Sequence, residues 1–117
     1  MTKDIIIRGK TITFTSNGAT PIFFKQFFKK DLLKSMSMSG HGIEIASEDI
    51  PELAFIMAKQ GDKADMMHLK EEHYIEWLSL FDPLDIPMKG DEIFAVYLSD
   101  SIPTEEPKKK MDENLSE

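Results

Sequence analysis

Apolar and polar positions alternate with a period of two at the start of the chain. Ile5, Ile6 and Ile7 precede Arg8-Gly9-Lys10, and Thr11-Ile12-Thr13-Phe14-Thr15 follows. Two β-branched runs about a glycine-centred turn predict a β-hairpin, with Ile12 and Phe14 on its apolar face. A lone hairpin is marginal in water, so this face must pack on something else. The period then changes. Thr20 and Pro21 supply an N-cap and a first helical residue, and Phe23, Phe24, Phe27 and Phe28 fall on one helical side with Lys25, Gln26, Lys29 and Lys30 on the other. The phase slips at Asp31, which is expected to cap a second short helix holding Leu32, Leu33 and Met36.

Ser37-Met38-Ser39-Gly40-His41-Gly42 is rich in residues that compete with helix or lack a Cβ, and it is expected to be a flexible connector before an extended Ile43 and Ile45. A third helix is expected over 49–60, opened by Ser47, Asp49, Pro51 and Glu52 and carrying the apolar stripe Leu53, Ala54 and Met57. From about 64 to 81, Met66, Met67, Tyr74, Trp77, Leu78 and Phe81 share one helical side, most regularly in the second half; Ile75 and Leu80 lie off that stripe. The prolines of Asp82-Pro83 and Ile86-Pro87 confine the next link. A last helix is expected over 89–99, with Ile93, Phe94, Tyr97 and Leu98 inward. The pattern describes an α+β, mainly α domain over 1–102: an N-terminal hairpin packed on four to five helices. Residues 103–117 have only Met111 and Leu115 as apolar positions and are expected to be a disordered tail.

Composition narrows the picture. The chain has 117 residues, 41% hydrophobic and 30% charged, and no cysteine. That is material for one core, and it excludes a disulfide scaffold, a thiolate metal site and a cysteine nucleophile. The net charge of -7 disfavours nucleic acid and anionic membranes as partners, no run reaches the length of a membrane span, and the polar start lacks the features of a signal peptide. A cytosolic protein is expected.

Catalytic chemistry finds little support in the sequence. His68 and His73 are five residues apart, so they diverge on a helix and miss the spacing of a zinc protease motif; His68 with Glu72 would make at most a weak surface pair. The carboxylate pairs Asp49/Glu52, Glu71/Glu72, Asp82/Asp85 and Asp91/Glu92 mostly stand where helices begin, where the helix dipole favours negative charge. No phosphate-binding glycine loop or nucleophile elbow occurs. No metal, cofactor or catalytic residue is expected. The phenylalanine helix is the more telling feature. Its rings face away from the lysines, which argues against base stacking and for a core, while any ring beyond what a small core needs marks a partner site. Phe23, Phe24, Phe27, Phe28, Met36, Ile75 and Leu80 are the expected partner-binding residues, and Met38, Met66 and Met67 add adaptable side chains.

The order of these features resembles the tail assembly chaperones of long-tailed bacteriophages. The resemblance covers about residues 4–100 and is carried by the hairpin with its Gly-Lys turn, Lys30-Asp31-Leu32-Leu33, the helix Leu53-Ala54-Phe55-Ile56-Met57-Ala58, and Tyr74-Ile75-Glu76-Trp77-Leu78-Ser79-Leu80-Phe81-Asp82. Two features depart from the family pattern: the first helix is less polar, and the link over 82–87 is richer in proline. The resemblance implies a non-catalytic protein of the host bacterial cytoplasm. Such a protein binds the tape measure protein, keeps that long hydrophobic chain soluble and brings tail tube protein subunits to it; self-association of the chain is a separate expectation. It also implies a frameshifted longer product, for which Lys108-Lys109-Lys110 offers a candidate slippery site. Two other functions stay open: a small acidic regulator that binds a basic partner or mimics nucleic acid, and an enzyme using the carboxylates around Asp82 and Asp85.

Overall fold

A computed structural model describes residues 1–40 and 42–101. The expectations for a disordered tail, a domain boundary at 102 and the lysine run all lie outside the described residues. The fold is α+β and mainly α, as expected: an N-terminal two-stranded antiparallel hairpin followed by helices.

Strands β1 (Thr2–Ile7) and β2 (Lys10–Thr15) pair with Ile5 opposite Ile12 and Ile7 opposite Lys10. Arg8 and Gly9 form the connecting turn, both at positive φ (50° and 75°), the pattern of a twist-matched two-residue hairpin turn. Alternation sends Ile5, Ile7 and Phe14 into the core and leaves Ile6 exposed. Helix α1 (Thr20–Phe28) starts at the residue expected to cap it, one position earlier than expected. Ala19 occupies the N-cap without a side-chain bond, so Thr20 is not the cap. The Thr20 hydroxyl instead accepts from the Asn17 N–H (2.9 Å) and donates to Gln60 Oε1 (2.8 Å), fastening the start of α1 to the end of α2 (Ile50–Gly61). Lys29 ends α1 at φ 60° and donates its N–H to Lys25 O.

Asp31 does cap a turn, accepting from Leu33 N–H at 3.0 Å, but the turn is a 3₁₀ segment over Leu32–Ser35 and Met36 lies beyond it. The expected flexible connector is a second hairpin, β3 (Met36–Ser39) with β4 (Gly42–Ile45). Met36 and Met38 alternate with serines just as Ile43 and Ile45 alternate across from them, and that period of two outweighs the glycines, which sit at the turn.

Helix α2 is the centre of the molecule. All six residues Leu53–Ala58 are buried, not only the stripe Leu53, Ala54 and Met57, because β2, α1, α3 (Glu71–Leu78), α4 (Asp85–Met88) and α5 (Gly90–Ser101) surround it. A helix apolar all round belongs in an interior. Its end abuts β2: a Cβ on Gly61 would lie 1.9 Å from Thr13 O, so only glycine fits this seam. The stretch expected to be helical over 64–81 is a 3₁₀ turn at Met66–His68, an extended Leu69, and then α3 alone. The proline link contains α4, a single turn that accepts Pro87 because the first helical turn needs no N–H there. In α5, Ile93, Phe94, Val96 and Tyr97 are buried and Leu98 is half-buried.

Candidate functional site

The apolar face of α1 continues into α2 and α3 as one aromatic cluster. Phe28 lies 5.2 Å from Phe24, 4.7 Å from Phe27 and 5.0 Å from Tyr74; Tyr74 lies 5.1 Å from Phe55, and Phe55 lies 5.9 Å from Trp77. These tilted and edge-on rings form a continuous floor. Above it a groove of about 750 Å³ runs between α1 and the segment before α3, with Phe27, Phe28, Met66, Met67, Leu69 and Tyr74 as its apolar lining and Gln26, Lys29, Glu52 and Glu71 as its polar members. Met67 is 64% exposed beside it.

Tyr74 also borders a second groove of about 400 Å³, formed by Ile75, Leu78, Phe81, Ile86 and the prolines 51, 83 and 87. Ile75 is 54% exposed there, and Leu80, Leu84 and Met88 are exposed apolar side chains of the same α3–α4 region. The two grooves thus flank one side chain. The span from Met67 to Ile75 is therefore an amphipathic concave surface with aromatic walls.

One charged cluster borders the first groove. Lys30 Nζ donates to Asp49 Oδ1 at 2.5 Å and lies 2.6 Å from Glu52 Oε1. Burial alone would raise the Asp49 pKa, but donation from Lys30 and Ser35 outweighs it and holds that carboxyl below its ordinary value. Burial dominates at Glu52 and raises it. The same loss of solvent, with the Glu52 charge nearby, pushes the Tyr74 phenol up to about 12. The acidic pair Asp82 and Asp85 at the start of the proline link has a different task. Asp85 Oδ2 accepts from Arg8 Nε at 2.6 Å and from Asp82 N–H at 2.8 Å, and the Arg8 Nη2 pairs with Asp82, tying the hairpin turn to α4. Arg8 lowers the Asp85 pKa, the opposite direction to a general acid.

His68 Nδ1 is 2.6 Å from Asp65 Oδ2, and His73 Nδ1 accepts the Lys70 N–H at 2.9 Å as a cap of α3. Among the described residues no group of three or more His, Cys, Asp or Glu is placed to hold a metal.

The seven expected partner-binding residues do not form one surface. Phe24 is wholly buried and serves the core. Phe23 is half-buried against the core and borders neither groove, whereas Phe27 and Phe28 form the wall of the first. Ile75 belongs to the second groove and Leu80 is exposed beside its members Ser79 and Phe81. Met36 stands elsewhere, in a hollow of about 340 Å³ with Leu33, Met38, Ile43, Tyr97 and Leu98. Leu69 and Tyr74 were the groove residues least visible as such. Leu69 sits in an extended break that helical phase cannot place, and Tyr74, which shares one helical side with Trp77 and Phe81 in the sequence pattern, serves both the core and the grooves.

No protein-family model matches the chain, and neither the curated proteins nor the solved structures supply a match.

Proposed function

We propose that the protein is a non-catalytic binding protein that receives an apolar segment of a partner chain in the two grooves flanking Tyr74, acting as a phage tail assembly chaperone. On this reading the segment belongs to the tape measure protein, which is held soluble in the host bacterial cytoplasm and presented to tail tube subunits. The observation that supports the binding role is the exposure of Met67 and Ile75 on either side of a packed aromatic floor. Apolar side chains left open beside preformed concave surface favour a partner that removes them from water. The acidic remainder keeps the chaperone itself dispersed, and the adaptable thioethers of Met66 and Met67 tolerate the varied side chains of a long repetitive client. No helix among the described residues is long and apolar enough to cross a membrane, which is consistent with work in an aqueous compartment.

Co-expression with a phage tape measure protein tests the reading. The parent chain is expected to raise the soluble yield of that protein, the complex to survive moderate salt because apolar burial would hold it, and the double substitution Met67→Glu with Ile75→Glu to remove the effect while circular dichroism stays that of the parent. An unchanged yield with the parent chain, or equal rescue by the double variant, overturns it. Binding that disappears at moderate salt favours an acidic regulator instead.

A further inference from the structure

The hollow beside Met36 belongs to the second hairpin, well separated in sequence from the groove residues of α3. Strand β3 pairs with β4 alone, so its other edge has no strand beside it among the described residues. Natural proteins guard such edges with charge, proline or a bulge. The stretch Ser35-Met36-Ser37-Met38-Ser39-Gly40 has none of these, in a chain that is 30% charged. Its Met38 is 76% exposed, and the hollow of Leu33, Met36, Met38, Ile43, Tyr97 and Leu98 continues its apolar side.

The register says what could cover this edge. Ser37 faces Glu44, Ser39 faces Gly42, and Ala46 N–H donates to Ser35 O at 2.9 Å. Antiparallel ladders alternate residues that exchange bonds with the partner and residues that turn theirs away. The serines therefore bond to β4, and Met36 and Met38 direct their main-chain groups outward. Met36 N–H is taken by Leu33 O, which leaves Met36 C=O and both groups of Met38, with Gly40 N–H following in the same phase. This set is its own complement. Laid antiparallel about Met38, two copies exchange Met38 N–H and C=O with each other and give each Gly40 N–H a Met36 carbonyl. The serine-methionine alternation reads alike in both directions, so the methionines of both copies share one face, each Met38 beside the other's Met36 and hollow.

We propose that the chain forms a homodimer by antiparallel pairing of β3 with β3 of a second copy, its twofold axis at Met38. The uncharged strand lets two copies of a chain with charge -7 meet where neither brings a carboxylate to the axis. The pairing uses a face distinct from the grooves at Tyr74, so it stands or falls independently of the proposed client.

The absence of native cysteine makes the test direct. Opposed residues that exchange bonds have Cα atoms about 5.5 Å apart, within disulfide reach. In the full-length chain Met38→Cys is expected to give a covalent dimer under mild oxidation, while Met88→Cys, on an equally exposed residue (78%), stays largely monomeric. Sedimentation of the parent chain is expected to show a concentration-dependent dimer, and Met38→Pro, which removes the outward N–H and fixes φ, is expected to raise its Kd by at least about tenfold. Circular dichroism like that of the parent certifies that variant; if it is lost, Met38→Lys replaces it with the same expectation. A parent chain that stays monomeric, or equal crosslinking of the two cysteine variants, overturns the proposal.

Discussion

Replacing Gly61 by alanine probes the seam on which the hairpin rests. At an ordinary helical position this exchange stabilises by up to about 1 kcal/mol, because alanine loses less chain entropy and has the higher helix propensity. Here the added methyl would meet Thr13 O at 1.9 Å and Thr13 C at 2.7 Å, both main-chain atoms of β2. No rotamer change relieves a clash with backbone, so β2 must lift from α2 or the last turn of α2 must unwind. Overpacking of this kind costs about 1–3 kcal/mol where side chains yield; with rigid strands on the other side, a net loss of about 2–3 kcal/mol is expected after the propensity gain, or about 10 °C in Tm for a domain of this size. Gly90→Ala is the internal control, since its methyl would meet the flexible Ile50 Cδ1 at 3.0 Å; it should change stability by less than about 1 kcal/mol. Urea unfolding with an unchanged m-value reads both. A Gly61→Ala chain as stable as the parent refutes the argument, because the sign of the effect, not only its size, depends on the contact.

Other expectations follow from burial and charge. Phe24→Ala should destabilise by about 3–5 kcal/mol, whereas Ile22→Ala, exposed on the same helix, should stay within about 0.5 kcal/mol in the same urea assay. Lys30→Ala strands the buried Asp49; because Lys30 is itself 42% exposed, the loss should be about 2 kcal/mol and not the about 3–5 kcal/mol of a sealed pair. Arg8→Ala, which breaks only exposed ion pairs, should leave Tm nearly unchanged by calorimetry. The raised Tyr74 phenol means that the folded state holds this proton more tightly than the unfolded chain. Its contribution is complete below pH 10.0 and disappears as pH rises to about 12, and raised Lys30 acts in the same direction above 10.5. Tyr74→Phe should therefore lose less stability than the parent between neutral and strongly alkaline urea titrations, and an identical loss contradicts the assigned environment.

The first hairpin and the phenylalanine helix were legible because a single local period governs each. Ile12 with Phe14, and the four rings of α1, needed only alternation or a helical wheel. Trp77 as a core anchor was legible for the same reason, being large and in phase with Tyr74 and Phe81. The second hairpin was hidden because serine and glycine carry the marks of a loop, while its ordering comes from Ile43 and Ile45 across the ladder and from α5 behind it. Helix α2 showed a stripe yet is buried on every side, since a wheel reports one helix and cannot count its neighbours. The grooves were the least readable feature. Phe27 and Phe28 were among the expected partner residues, but their joining to Met67 and Leu69 depends on the packing of Tyr74 against α1, and Leu69 sits in a break that no period describes.

The position of α2 also bears on how the chain comes off a ribosome. The opening hairpin and α1 each direct their apolar sides at α2, which follows them in the chain, so until α2 has been made they have nothing to close on. Nascent chains interrupted before that point should be digested quickly by protease, and resistance should arise abruptly, not residue by residue, once α5 has cleared the exit tunnel and can lean on the same central rod.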